Sequence, residues 1–223
     1  TRQEATIYQC LLGEGKMSGY EVAKQTGISR SNAYNSLASM TEKGAAYLVE
    51  AGNTRKYVPV PVEEFCKNRI RRMEEARQWL KIHVPSEKTY VEGYITIEGA
   101  RNILDKMRNL LDKVEQRVYI SCTRNYLLLL VRELEDLKRA GKKVVIVTDQ
   151  PVTFSGAKVY VGKSRGMQIG VIADSRYVLT GEYGEGSMNT CLYSGQKNFV
   201  ELYKTALGNE IKLLTIQEEK NKA

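Results

Sequence analysis

From Ala5 to Leu12 the apolar residues Ala5, Ile7, Tyr8, Leu11 and Leu12 recur every three or four positions, which predicts a helix with one buried face. Thr1 and Glu4 stand at capping-box spacing before it, and Gly13 and Gly15 end it. Ser18 and Glu21 form a second capping box, opening a short helix through Gln25 that Gly27 stops by accepting left-handed backbone. Ser29 caps a third helix running to about Lys43, with Ala33, Tyr34, Leu37 and Met40 as its apolar stripe and Gly44 as its stop. The period then changes from helical to alternating: residues 46–50, a turn at 51–54 and residues 55–60 predict a hairpin. Pro59 and Pro61 close it. From Val62 a long helix carries Cys66, Ile70, Met73, Leu80 and Val84 in a four-then-three alternation that Arg77 interrupts, and Pro85 ends it.

Beyond residue 85 the chain alternates strands and helices. Strands are predicted at 90–97, 118–122, 143–148, 158–161, 168–173, 177–182 and 188–193, with helices at 98–116, 126–140 and 197–219. This order implies an α/β sheet covered by helices.

Two short helices joined at Gly27, with the small Ala23 four residues earlier, have helix-turn-helix spacing, because the helices cross closely there. The third helix sharpens that reading. Its remaining faces carry Arg30, Ser31, Asn32, Asn35, Ser36 and Ser39, side chains suited to base edges and phosphates, where a solvated helix would favour Glu, Lys and Ala. A merely polar surface helix is the alternative. Three helices and a hairpin follow winged-helix order, which places Asn53, Thr54, Arg55 and Lys56 at a wing tip able to reach the phosphate backbone.

Composition limits these readings. The 223 residues carry a formal net charge of +8, compatible with an anionic partner. Residues 1–61 hold only seven Lys/Arg against five Asp/Glu, so the DNA reading rests on pattern. No apolar run approaches the ~18–20 residues a bilayer span requires. Cys10, Cys66, Cys122 and Cys191 lack metal-site spacing and read as reduced core thiols of a cytoplasmic protein, so no metal or cofactor is expected. His83 is the sole histidine, which excludes a His-based dyad or multi-His metal site and argues against an enzyme.

The stretch 20–44, YEVAKQTGISRSNAYNSLASMTEKG, followed by RKYVPV at 55–60, resembles the TrmB family of prokaryotic transcriptional regulators. Tyr34, Leu37, Lys43, Gly44, Tyr57 and Pro59 match its pattern, with Met40 in place of Leu. The resemblance implies a winged helix on double-stranded DNA, a long helix after the wing, and a C-terminal domain that binds an effector, often a sugar.

The stretch 166–181, GMQIGVIADSRYVLTG, is similar to the phospholipase D superfamily motif, His-x-Lys-x(4)-Asp followed by Gly-Ser-x-Asn. Asp174 and Gly181 coincide with its Asp and Gly. Met167, Ile169, Glu182 and Gly184 depart from it, and a literal Gly-Ser-Met-Asn at 186–189 falls five residues late. Methionine and isoleucine supply neither the nucleophile nor the phosphate-holding cation. Asp174 reads as a turn residue, with contact to an effector as the alternative. The expected effector contacts are Asp174, Arg176, Glu182 and Asn189. Tyr94, Tyr160, Tyr177 and Tyr183 could offer aromatic platforms, although most of the fourteen tyrosines should be half-buried sheet residues.

The resulting expectation is a mixed α+β and α/β chain: a winged helix-turn-helix at 1–61, a linker helix at 62–85 whose apolar stripe forms a short coiled coil, with packing on the chain's own second domain as the alternative, and a phospholipase D-like sensor domain at 86–223. Its expected DNA contacts are Ser29, Arg30, Ser31, Asn32, Asn35, Ser36, Asn53, Thr54, Arg55 and Lys56. On this reading it acts as a non-enzymatic, effector-responsive regulator and a homodimer with no membrane partner. The alternative is a winged-helix protein-interaction module without operator specificity.

Overall fold

The computed structural model describes residues 1–51, 54–85, 93–186 and 188–222. Its chain divides into two compact units, Thr1–Glu87 and Lys88–Ala223. Among the described residues no helix is long and apolar enough to cross a membrane.

The first unit contains helix α1 (Arg2–Glu14), strand β1 (Met17–Ser18), helices α2 (Gly19–Thr26) and α3 (Arg30–Lys43), strands β2 (Ala46–Ala51) and β3 (Thr54–Pro59), and helix α4 (Val62–His83). The local signals act as the sequence implies. Thr1 with Glu4, and Ser18 with Glu21, complete reciprocal capping boxes, while the Ser29 side chain accepts from the Asn32 amide. Gly27 and Gly44 take φ of 70° and 79°, turning the chain out of α2 and α3. Ile7, Leu11, Val22, Ala33, Leu37 and Met40 fill the core between the three helices. Strand β1 is an addition: Met17 pairs with Tyr57 and Ser18 with Lys56, giving a three-stranded sheet β1–β3–β2. Two residues carry too little periodicity to announce a strand.

The second unit is one seven-stranded sheet in the order β4–β10–β9–β8–β5–β6–β7. Its elements are β4 (Tyr94–Glu98), α5 (Ala100–Asp112), β5 (Arg117–Ser121), α6 (Arg124–Leu127), α7 (Val131–Arg139), β6 (Lys143–Thr148), β7 (Lys158–Val161), β8 (Gln168–Ala173), β9 (Tyr177–Glu182), β10 (Thr190–Ser194) and α8 (Lys197–Lys222). The helix expected at 126–140 is broken by a 3₁₀ turn at Leu128–Leu130. Residues 90–92 of the first expected strand, Asn53 of the wing and Ser187 of the late Gly-Ser-Met-Asn lie outside the described residues. Strand pairing is parallel across β5, β6 and β7 and antiparallel elsewhere. One sheet face packs on α5 and α7 through a core including Met107, Ile120, Leu134, Ile146, Val171 and Leu179. The other packs on α8 through Val200, Leu207 and Leu214.

Asp174 ties this sheet together. Asp174 and Ser175 have φ of 50° and 55°, and the Arg176 N–H donates to the Ala173 carbonyl at 2.9 Å, closing a tight turn between β8 and β9. The Asp174 carboxylate accepts from the backbone N–H groups of Glu115 (2.8 Å), Gln116 (2.8 Å) and Arg117 (2.9 Å) at the start of β5. Its own N–H donates to the Arg117 carbonyl at 2.9 Å. Partial burial pushes the Asp174 carboxyl upward, but the three amide donors outweigh it and hold the group below its usual range.

The cysteine reading holds in part. Burial pushes the thiols of Cys122 and Cys191 up, to about 12 and about 11, as inert core groups. Cys66, however, is exposed on α4, because the helix turns that position to solvent.

Asp174→Asn should destabilise the second unit by about 1–3 kcal/mol at neutral pH, read by chemical denaturation, since charge-assisted amide bonds are lost. The folded carboxyl titrates below its unfolded value of about 3.9, so its contribution is present above that pH and lost as pH falls. The variant's acid-denaturation slope should accordingly be shallower than that of the parent.

Candidate nucleic-acid interface

Helix α3 divides its surface between core and solvent. Ala33, Ser36, Leu37 and Met40 are buried, whereas Arg30, Ser31, Asn32, Tyr34, Asn35 and Ala38 are exposed. Two positions depart from expectation. Ser36, expected to contact DNA, is only 8% exposed. Tyr34, expected in the apolar stripe, is 46% exposed, with its ring against Gly19 at the start of α2. The buried arc is thus centred between Ala33, Leu37 and Met40. A residue three beyond Ala33 falls inside it, while Tyr34, one beyond, lies outside.

The back of α3 is anchored to α1. Glu4 accepts a hydrogen bond from Ser39 Oγ at 2.7 Å and pairs with the Lys43 ammonium. Lys43 first, and Ser39 with it, hold the Glu4 carboxyl far below its ordinary range. At the front, the Arg30 guanidinium lies 4.6 Å from the centroid of the exposed Tyr20 ring. The outward face therefore presents Ser31, Asn35, Arg30 and Asn32 flanked by two tyrosines, with no acidic residue in its first turn. Ser29 spends its hydroxyl on the helix cap.

The hairpin follows α3 in the same unit. Ala51 pairs with Thr54, Glu50 with Arg55 and Val49 with Lys56. Arg55 is exposed and Lys56 half-buried. Thr54 opens the second wing strand. Tyr57 and Val60 are buried, and the Tyr8 hydroxyl donates to the Val60 carbonyl at 2.6 Å, fixing the hairpin base on α1.

Residues 1–63 match the family model described as sugar-specific transcriptional regulator TrmB. The first domain is therefore similar to that family. The full chain is 28% identical over 220 residues to the uncharacterised protein YrhO of Bacillus subtilis (strain 168), covering 94% of this chain and 72% of that one. It is 24% identical over 202 residues to the HTH-type sugar sensing transcriptional regulator TrmBL1 of Pyrococcus furiosus, covering 87% of this chain. The match spans 56% of TrmBL1, little more than half its length. Among solved structures, the archaeal chromatin protein TrmBL2 is similar over 95% of this chain and 93% of its own, with 18% identity and a TM-score of 0.49.

Helix α4 is anchored at its start. Phe65 packs on Tyr8 with ring centroids 5.8 Å apart, and the Tyr47 hydroxyl donates to Glu64 at 3.0 Å. None of the 22 residues of α4 is fully buried, and Ile70 and Met73 are 69% and 68% exposed. His83 stacks on Trp79 with centroids 4.3 Å apart at its end.

The four expected effector contacts do not converge. Asp174 is committed to the backbone of 115–117, and the exposed Arg176 pairs with the equally exposed Glu115 at 3.3 Å. Glu182 and Asn189 lie at the opposite end of β9. There the Asn189 side chain accepts from the Gly184 N–H at 2.9 Å and donates to its carbonyl at 3.1 Å, tying the loop before β10. A six-residue strand separates these pairs by about 20 Å. Of the tyrosines, Tyr183 is buried and Tyr177 stacks on Tyr193, leaving Tyr94 the most exposed of the four. Ile169 is 3% exposed in the core, and Met167 is half-buried. Gly181 has a φ of 155°, and a Cβ there would come 2.2 Å from the Thr190 carbonyl on β10.

Glu4→Gln should cost the TrmB-type domain roughly 1 kcal/mol, measured by denaturation, because a partly buried ion pair and one hydroxyl donor are weakened.

Proposed function

We propose that this protein is a dimeric, sequence-specific DNA-binding transcription regulator whose second domain responds to a small-molecule effector. The observation that carries the reading is the exposed face of α3. Arg30, Ser31 and Asn35 stand outward on a helix whose reverse side is anchored in a TrmB-type winged helix. Arginine and asparagine can each make bidentate contacts to purine edges in the major groove, and serine can bond either a base or a phosphate. The wing residues Arg55 and Lys56 then meet the backbone and set orientation.

Helix α4 supports the dimer. It is about 33 Å long at 1.5 Å per residue, and among the described residues Ile70, Met73 and Leu80 on it are exposed. A second copy satisfies that stripe, and a two-fold pair of recognition helices reads two half-sites. The effector enters because the chain is similar to a sugar sensing regulator and carries a whole α/β domain that does not read DNA in this account. A coupling of about 1–3 kcal/mol between effector and DNA would be sufficient for regulation.

With a selected DNA site, Arg30→Ala together with Asn35→Ala should erase the preference over random sequence while leaving the protein folded. Ser36→Ala, at the buried position, should change affinity less than about twofold. Equal effects from the two would remove α3 as the reading helix. Arg55→Ala with Lys56→Ala should weaken binding to all sequences alike and reduce the salt slope by about 2, one per lost phosphate contact. An unchanged slope would take the wing off the phosphates.

A further inference from the structure

The two faces of the seven-stranded sheet differ in kind. Along one register the face toward α5 and α7 is apolar, running from Ile95 through Leu179, Val171 and Ile120 to Val159. The facing row beneath α8 is mixed, running from Tyr94 and Ser194 through Ile172 and Tyr119 to Lys158. A single helix about 10 Å wide is narrower than a seven-stranded sheet that spans about 30 Å, so α8 leaves part of this face uncovered.

Where α8 passes the start of β5 and the end of β8 there is a cleft of about 240 Å³. Its walls are Tyr119 and Ile172 from the sheet and Leu207 and Ile211 from the helix. Arg117, Lys204 and the Ser175 hydroxyl complete it, and no acidic side chain lines it. Lys204 pairs with Glu201 one turn away at 2.8 Å, an exposed contact that a ligand can replace at little cost. Among the described residues the Arg117 guanidinium makes no ion pair. Its backbone is held at both its N–H and its carbonyl by Asp174, and Ser175 is the next residue of the same turn.

Gly208 sits on the helix wall of this cleft, deep within the 26-residue α8. Helix interiors disfavour glycine relative to alanine. A Cβ at 208 would meet no atom within 4 Å, so packing does not demand glycine there. A side chain at that position would enter the cleft.

We propose that this cleft binds a small amphipathic carboxylate and is the effector site of the second domain; the effector assignment rests on the function proposed above. The volume lies below the ~300–1,000 Å³ of drug-sized sites, which suits a ligand smaller than a nucleotide. The apolar walls leave most hydroxyls of a sugar without partners, a costly burial. A branched or aromatic body fits those walls, with its single negative charge between Arg117 and Lys204. Asp174 is a positioning residue for this site, since it sets the cationic rim without meeting the ligand.

The test uses the full chain with benzoate, 3-methylbutanoate, inorganic phosphate and glucose as probes, followed by thermal shift and titration calorimetry. The two carboxylates should bind and raise Tm, whereas phosphate and glucose should not. Gly208→Leu, which fills the cleft, and Arg117→Gln, which removes its charge, should each weaken benzoate at least about tenfold. Gly208→Ala provides a folded control. Absence of carboxylate binding, or undiminished binding in a folded Gly208→Leu or Arg117→Gln, overturns the site. Affinity for selected DNA is then measured with and without benzoate. A change in the parent that is lost in Arg117→Gln supports both site and effector role. Carboxylate binding in the cleft without any change in DNA affinity keeps the site and overturns its effector role. A DNA response to glucose with no carboxylate binding keeps the effector-sensing function and overturns this site.

Discussion

The second domain depends on a carboxylate that serves the backbone. Asp174 draws the β8–β9 turn onto the three amides that begin β5, joining segments 57 to 59 residues apart. The antiparallel pairing of β8 with β5 starts at that clamp, with Ala173 opposite Val118. The parallel run β5–β6–β7 extends the sheet outward from it. The turn places two non-glycine residues in left-handed backbone, which costs of order 1 kcal/mol or more each. Charge-assisted amide bonds of about 1.5–3 kcal/mol apiece can offset that strain.

This clamp accounts for a spacing similar to a phosphodiesterase motif filled with apolar residues. The two retained positions are both structural. Asp174 holds the turn, and Gly181 lets β9 approach β10 where a side chain would strike the Thr190 carbonyl. The departing position Ile169 belongs to the core. In this chain both coinciding positions serve strand pairing, independently of any chemistry the other positions could perform.

Much of the first domain was legible because its signals are local. Capping boxes, Gly27, Gly44 and the change of period at residue 45 act within a few residues of themselves. At Ser36 and Tyr34, polarity is a poor guide to the phase of α3. Tertiary packing decides instead: a serine is small enough to be buried, and a tyrosine can lie half-exposed against Gly19. Strand β1 and the Glu4–Lys43 pair depend on partners roughly forty residues away, which periodicity cannot show. The same limit applied more severely to the effector candidates. Asp174, Arg176, Glu182 and Asn189 look like a cluster in sequence, yet one extended strand carries them to opposite ends of the sheet. Arg117 and Lys204, far apart in sequence, meet at one cleft.

The central claim is that two copies of α3 read a two-fold DNA site. Selection of genomic fragments by the purified protein, followed by footprinting of the enriched sequence, tests it most directly. The account predicts a protected pair of inverted half-sites one helical turn, or a multiple of it, apart. Retention of fragments no better than random DNA, across probes and salt concentrations, would contradict it and would favour a winged helix that docks on proteins.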